Sequence, residues 1–148
     1  MPALAAMVFL AGCSSAPAPA NSPKSDPTTE AWYGRSVNQL TALNREAESA
    51  FQSGKPDRAA ALIQQGEPIR DRILSTPRTT IAAAEAASDL DDLYGRMLLA
   101  NRHYGWARLL FQKNLARWKH WAPNTPESTR RFRQAESAIA ECDRRLAR

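Results

Sequence analysis

Downstream of Ala31 the apolar side chains recur at intervals of three and four residues, a period that restricts this part of the chain to helices packed through one face. Val37, Leu40, Leu43, Ala47, Ala50 and Phe51 make the first stripe. Gly54 then suits a helix C-cap and Pro56 the first turn of the next helix. Ala59, Leu62, Ile63, Gly66, Ile69 and Ile73 make the second stripe. It keeps register across Pro68, so a kink near Gln64 or Gln65 is expected in preference to a break. A third helix is predicted after Pro77, Thr79 and Thr80, on Ile81, Ala84, Ala87, Leu90, Tyr94, Met97 and Leu98. Glu85, Asp89, Asp91 and Asp92 read as its solvated face. The fourth carries Tyr104, Ala107, Phe111, Leu115 and Trp118 on one side, with Trp106 and Leu110 on another, the pattern of a helix packed between neighbours. Thr125, Pro126 and Glu127 supply an N-cap, a first-turn proline and an acid for a fifth, which buries Phe132, Ala135, Ile139, Cys142 and Leu146. Val37 is the only valine after Val8, which argues against an extensive sheet. The expectation is an all-α domain over residues 31–148, about five helices joined as antiparallel hairpins.

Two of these hairpins share a template. Ala47, Gly54, Ala59, Ile63 and Gly66 resemble the tetratricopeptide pattern of small residues at close helix crossings with a glycine in the turn. Gly95, Leu98, Tyr104, Ala107 and Phe111 fit the same pattern, and Gly95 to Ala107 repeats the spacing of Ala47 to Ala59. The turn near Arg102 has no glycine. The resemblance implies stacked hairpins with the fifth helix as a cap and a broad concave surface; the alternative is a plain five-helix bundle.

The start of the chain has a different character. Met1 to Gly12 carry no charged side chain, and Ala3 to Leu10 form an apolar run. As a helix that run spans only about 12 Å, against about 30 Å of hydrocarbon in a bilayer, so it reads as a signal segment and not as a span. No Lys or Arg precedes it; either the start amine supplies the positive charge or the coding start lies upstream of Met1. Leu10, Ala11, Gly12 and Cys13 resemble the lipobox of bacterial lipoproteins. The resemblance implies a signal peptide over 1–12 and a mature N-terminal Cys13 bearing a thioether-linked diacylglycerol, with a third chain such as palmitate on its amine. Two or three such chains, at about 0.8 kcal/mol per buried methylene, hold a protein on a membrane. Ser14 follows, where aspartate would favour inner-membrane retention, so the resemblance favours the outer membrane, facing the periplasm. The stretch 13–30, with Pro17, Pro19, Pro23 and Pro27, reads as a disordered tether that reaches at most about 50 Å.

No catalytic residue, cofactor or metal ligand stands out. His103 and His120 fall about 25 Å apart along one helix, without ligand partners at i+3 or i+4. Asp89, Asp91 and Asp92 lack the glycine turn and closing glutamate of a calcium loop. Cys142 sits on an apolar stripe, where a packed thiol is the plainer reading than a nucleophile. Nothing resembles a phosphate loop or a nucleophile elbow. The chain is therefore read as a non-enzyme.

Charge and aromatics are what remain. The net charge is +5, and basic residues crowd the last two helices. Export makes nucleic acid a poor partner; anionic headgroups, peptidoglycan carboxylates or an acidic protein fit better. Trp106, Trp121, Arg117, Arg130, Arg131 and Arg133 are the candidate partner-binding surface, with the aromatics expected around one end of the fourth helix. The function expected is a lipid-anchored adaptor or assembly factor for an envelope protein. The alternative is a protein that binds or hydrolyses peptidoglycan.

Overall fold

A computed structural model describes residues 25–121 and 123–148. Residues 1–24, with the lipobox-like segment and Cys13, and Ala122 lie outside the described residues. A 3-10 turn at Pro27–Thr29 is followed by α1 (Ala31–Gln52), α2 (Pro56–Leu74), α3 (Ile81–Ala100), α4 (Tyr104–Lys119) and α5 (Pro126–Leu146). Among the described residues the fold is all-α with five helices. Ordered chain begins ahead of Ala31, because Asp26 caps the 3-10 turn by accepting from the Thr28 backbone N–H at 3.0 Å.

Helices α3 and α5 start where a side chain satisfies one of the first free N–H groups. Thr80 accepts from Ala83 N at 3.3 Å to open α3. Thr125 and Ser128 cap α5 reciprocally, at 3.1 Å and 2.8 Å. Pro56 and Pro126 take first-turn positions, and α2 continues unbroken through Pro68. The ends of α1 and α3 are built alike. Lys55 N donates to Ala50 O and Gly54 N to Phe51 O, as His103 N donates to Leu98 O and Arg102 N to Leu99 O. These are two Schellman turns. The residue in left-handed conformation is Gly54 in the first (φ 70°) and Arg102 in the second (φ 62°).

Helix α3 is the hub. It packs against α1 and α2 on one side and α4 on the other, and α4 packs against α5. The first side is a continuous apolar core, with Tyr33, Leu40, Ile63, Ile73, Leu90 and Leu93 at its centre. Ala47 and Ala59 are fully buried there, which lets α1 and α2 approach closely. On the other side Gly95 does the same for α4, since an added Cβ would come within 2.7 Å of the Phe111 ring. The apolar cluster of that side is small, with Ala107, Phe111 and Cys142 buried and Leu98, Leu99, Ala138 and Ile139 packed on them.

The stripes depart from expectation at three places. Ile81 and Leu146 are exposed, because each is the end residue of its helix and has no neighbour to cover it. Asp91 is 1% exposed instead of solvated, because two arginines reach it from flanking helices. Trp106 and Leu109 of α4 are 67% and 49% exposed, so α4 is covered on fewer sides than its sequence suggests.

Candidate functional site

The centre of the molecule holds an ionic junction. Asp91 Oδ1 accepts from Arg70 Nη1 of α2 at 2.8 Å, and its Oδ2 accepts from Arg117 Nη2 of α4 at 3.0 Å. Burial opposes the charge of Arg70, but hydrogen bonding to Asp71 and the fields of Asp91 and Asp71 outweigh it and raise its pKa. Around the junction Asn114 Nδ2 donates to Ser88 O at 3.0 Å and Trp118 Nε1 to Ser88 Oγ at 2.9 Å. These bonds leave the two guanidiniums satisfied and turned inward. The arrangement joins three helices and offers no reactive group to solvent.

Two grooves open on opposite sides of α3. The first, about 620 Å³, runs between α1 and α3 with Arg131 of α5 at one end. Its lining is polar, and its charges are largely matched within the wall. Arg96 pairs with Glu48 and, at 2.8 Å, with Asp92. Arg131 pairs with Asp89 at 2.5 Å and with Glu127 at 2.7 Å. Asn44, 7% exposed, donates to Ala86 O at 2.8 Å, while its Oδ1 is buried without a partner.

The second groove, about 1000 Å³, is apolar. Tyr94 and Leu98 of α3 form one wall, and Trp106, Leu109, Leu110 and Ala116 of α4 form the other. Tyr94 lies two residues from both Asp92 and Arg96, or about 200° around the helix, so the two grooves use opposite faces of α3. The α4 wall sets the exposed Trp106 and Leu109 beside the buried Leu110. Large exposed apolar patches on otherwise folded surfaces mark places of association.

The sequence-derived surface residues divide between these regions. Trp106 lies in the apolar groove. Trp121 lies at the far end of α4, its ring 5.8 Å from that of Trp118, so the aromatics of α4 sit at its two ends and not around one. Trp106 and Trp121 are fifteen positions apart, about 20 Å along the helix from Trp106 to its end at Lys119. Arg117 points into the Asp91 junction, and only 14% of its side chain is exposed. Arg131 lies over the Trp118 ring at 5.5 Å while holding Asp89 and Glu127. Arg130 pairs with Glu127 at 2.6 Å and donates to Gln134, and Arg133 is exposed. Glu127, held by Arg130 and then by Arg131, has its pKa lowered to about 2. The arginines of α5 thus spend much of their charge inside the molecule. The lipid-attachment candidate Cys13 lies outside the described residues.

His103 and His120 occupy the N-cap and C-cap positions of α4, His103 without a side-chain capping bond. Among the described residues no three His, Cys, Asp or Glu side chains are grouped to hold a metal ion, and no helix is long and apolar enough to cross a membrane. Burial, followed by the charges of Asp143 and Glu141, pushes the Cys142 thiol up, which disfavours a thiolate there. No family model matches the chain, and neither a curated protein nor a solved structure matches it.

Proposed function

We propose that this chain is a lipid-anchored lipoprotein of the outer membrane, facing the periplasm, that works as a non-catalytic docking module for another envelope protein. The open apolar groove between α3 and α4 carries the docking part of this reading. An indole and a leucine held at 67% and 49% exposure are costly in water and are the residue types that anchor protein interfaces. The lipobox-like Leu10-Ala11-Gly12-Cys13 supports the anchor, and the proline-rich segment after it supports a domain held off the membrane. The tetratricopeptide resemblance of the two hairpins is compatible with an adaptor. The internal pairing of Arg117, Arg130 and Arg131 leaves less free charge for an anionic cell-wall polymer, which favours a protein over peptidoglycan.

Two measurements test the reading. Cys13→Ser is expected to move the protein from the membrane fraction to the soluble one; unchanged fractionation and mass would remove the anchor. Cross-linking in intact cells is expected to yield a discrete envelope partner whose adduct disappears in Leu109→Glu. An adduct pattern indifferent to that substitution would remove the docking role of the groove.

A further inference from the structure

The chain contains no Asp or Glu between Asp92 and Glu127, yet that stretch holds Arg96, Arg102, Arg108, Lys113, Arg117 and Lys119. Three of these cations are matched from elsewhere: Arg96 by Glu48 and Asp92, Arg108 by Asp143, and Arg117 by Asp91. Arg102, Lys113 and Lys119 have no ion-pair partner among the described residues. Lys113 stands in the wall of the apolar groove, whereas Arg102 lines a separate cavity with Tyr104 and Arg145, and Lys119 another with Trp118 and Phe132. The lining includes no carboxylate. An apolar floor with a lysine in its wall and no carboxylate selects by charge as well as by shape.

The dimensions narrow the occupant. The α4 wall from His103 to Ala116 is about 20 Å long, which matches three to four turns of a second helix. A trough between two helices receives the ridge of a third, as ordinary helix packing does. A bilayer is a flat surface and would meet only the rims. A second copy related by a two-fold axis would present the same patch, which has no carboxylate to meet Lys113.

We infer that the α3–α4 groove receives an amphipathic helix of a protein partner, its apolar stripe flanked by Asp and Glu. This rests on the docking function proposed above and names the chemistry of the partner. Trp106 and Leu109 take the apolar stripe, and Lys113 takes the acids beside it.

The test uses the purified full chain and a fluorescein-labelled peptide of about 16 residues, with leucine at i, i+3, i+4 and i+7 and glutamate at the flanks. Its twin carries lysine in place of glutamate, and phosphatidylglycerol vesicles form a third arm. The glutamate peptide is expected to bind roughly tenfold more tightly than the twin, and Trp106→Ala or Leu109→Ser to weaken it by a similar factor. Lys113→Glu is expected to cancel or invert the preference. All three side chains are exposed, and circular dichroism checks that the variants keep their helices. Equal binding of the twins, or a preference unmoved by Lys113→Glu, would overturn the inference. Vesicle binding without peptide binding would overturn it in favour of a membrane. A dimer abolished by Leu109→Glu would overturn it in favour of a second copy. A cellular partner that reaches Leu109 through an uncharged or basic segment would overturn it while leaving the docking function intact. The absence of any cellular partner would remove the docking function itself.

Discussion

The hairpins on the two sides of α3 are held by different physics. The α1–α2 side buries a continuous apolar core and exposes no large apolar side chain among the described residues. The α4–α5 side has a small apolar cluster and is tied down by directional groups: Asp91 to Arg117, Ser88 to Trp118 and Asn114, Asp89 to Arg131, Asp143 to Arg108. Trp106, Leu109 and Leu146 are left open on it. Apolar burial is cheap in sequence and tolerant of detail, whereas hydrogen-bonded and ionic contacts need defined partners but leave side-chain surface free. One side thus supplies most of the core, and the other can afford an exposed apolar face.

The sharpest way to break this comparison is at the junction between the two sides. Asp91→Ala leaves the largely buried Arg117 without a carboxylate and Arg70 with only the more exposed Asp71 and Glu67, and is expected to cost about 3–5 kcal/mol in urea unfolding. A loss below about 1 kcal/mol would mean that the junction contributes little to the attachment of α4.

A pair of glycine substitutions comes next. Gly95→Ala places a methyl against the Phe111 ring and is expected to cost about 1–3 kcal/mol. Gly34→Ala in α1, with open space around it, is expected to gain up to about 1 kcal/mol. Thermal unfolding of both variants checks the contrast.

The two Schellman turns give a smaller effect of opposite sign. Arg102→Gly relieves a left-handed arginine and is expected to gain about 1 kcal/mol, whereas Gly54→Ala should lose about as much. Equal and same-signed changes would contradict the assignment of the turns.

The smallest effect is in pH. Glu127 is lowered from 4.5 to about 2, so the unfolded chain takes up its proton first as pH falls. Its contribution is complete above about 4.5 and is lost between there and about 2. The group is partly exposed and screened, which keeps the amplitude low. The stability gap between the native chain and Glu127→Gln should therefore close on acidification from about pH 6 to about pH 3.

Much of this fold is legible in the residue order, because apolar spacing, Gly54, Pro56, Thr80, Thr125 and Pro126 each act locally. The junction is not legible there, although Asp91 lies four residues after Ala87 and three before Tyr94, inside the apolar stripe itself. A carboxylate in such a stripe is a sign of a buried cation, but its partners Arg70 and Arg117 come from other helices and no local rule points to them. The groove is half legible. Trp106 stands off the main stripe of α4, yet whether a neighbour covers that side depends on where α5 docks, which is a tertiary outcome. The arginines of α5 read as a free basic surface until their carboxylates on α3 and α5 are in place.

The central claim is that the partner docks on the apolar side of α3 and not in the polar groove opposite. A photo-cross-linking amino acid placed at Leu109 and, in a second strain, at the exposed Asn38 of the polar groove tests it in intact cells. An adduct with a discrete envelope protein at Leu109 and none at Asn38 is the expected result. An adduct at Asn38 with none at Leu109 would contradict the account.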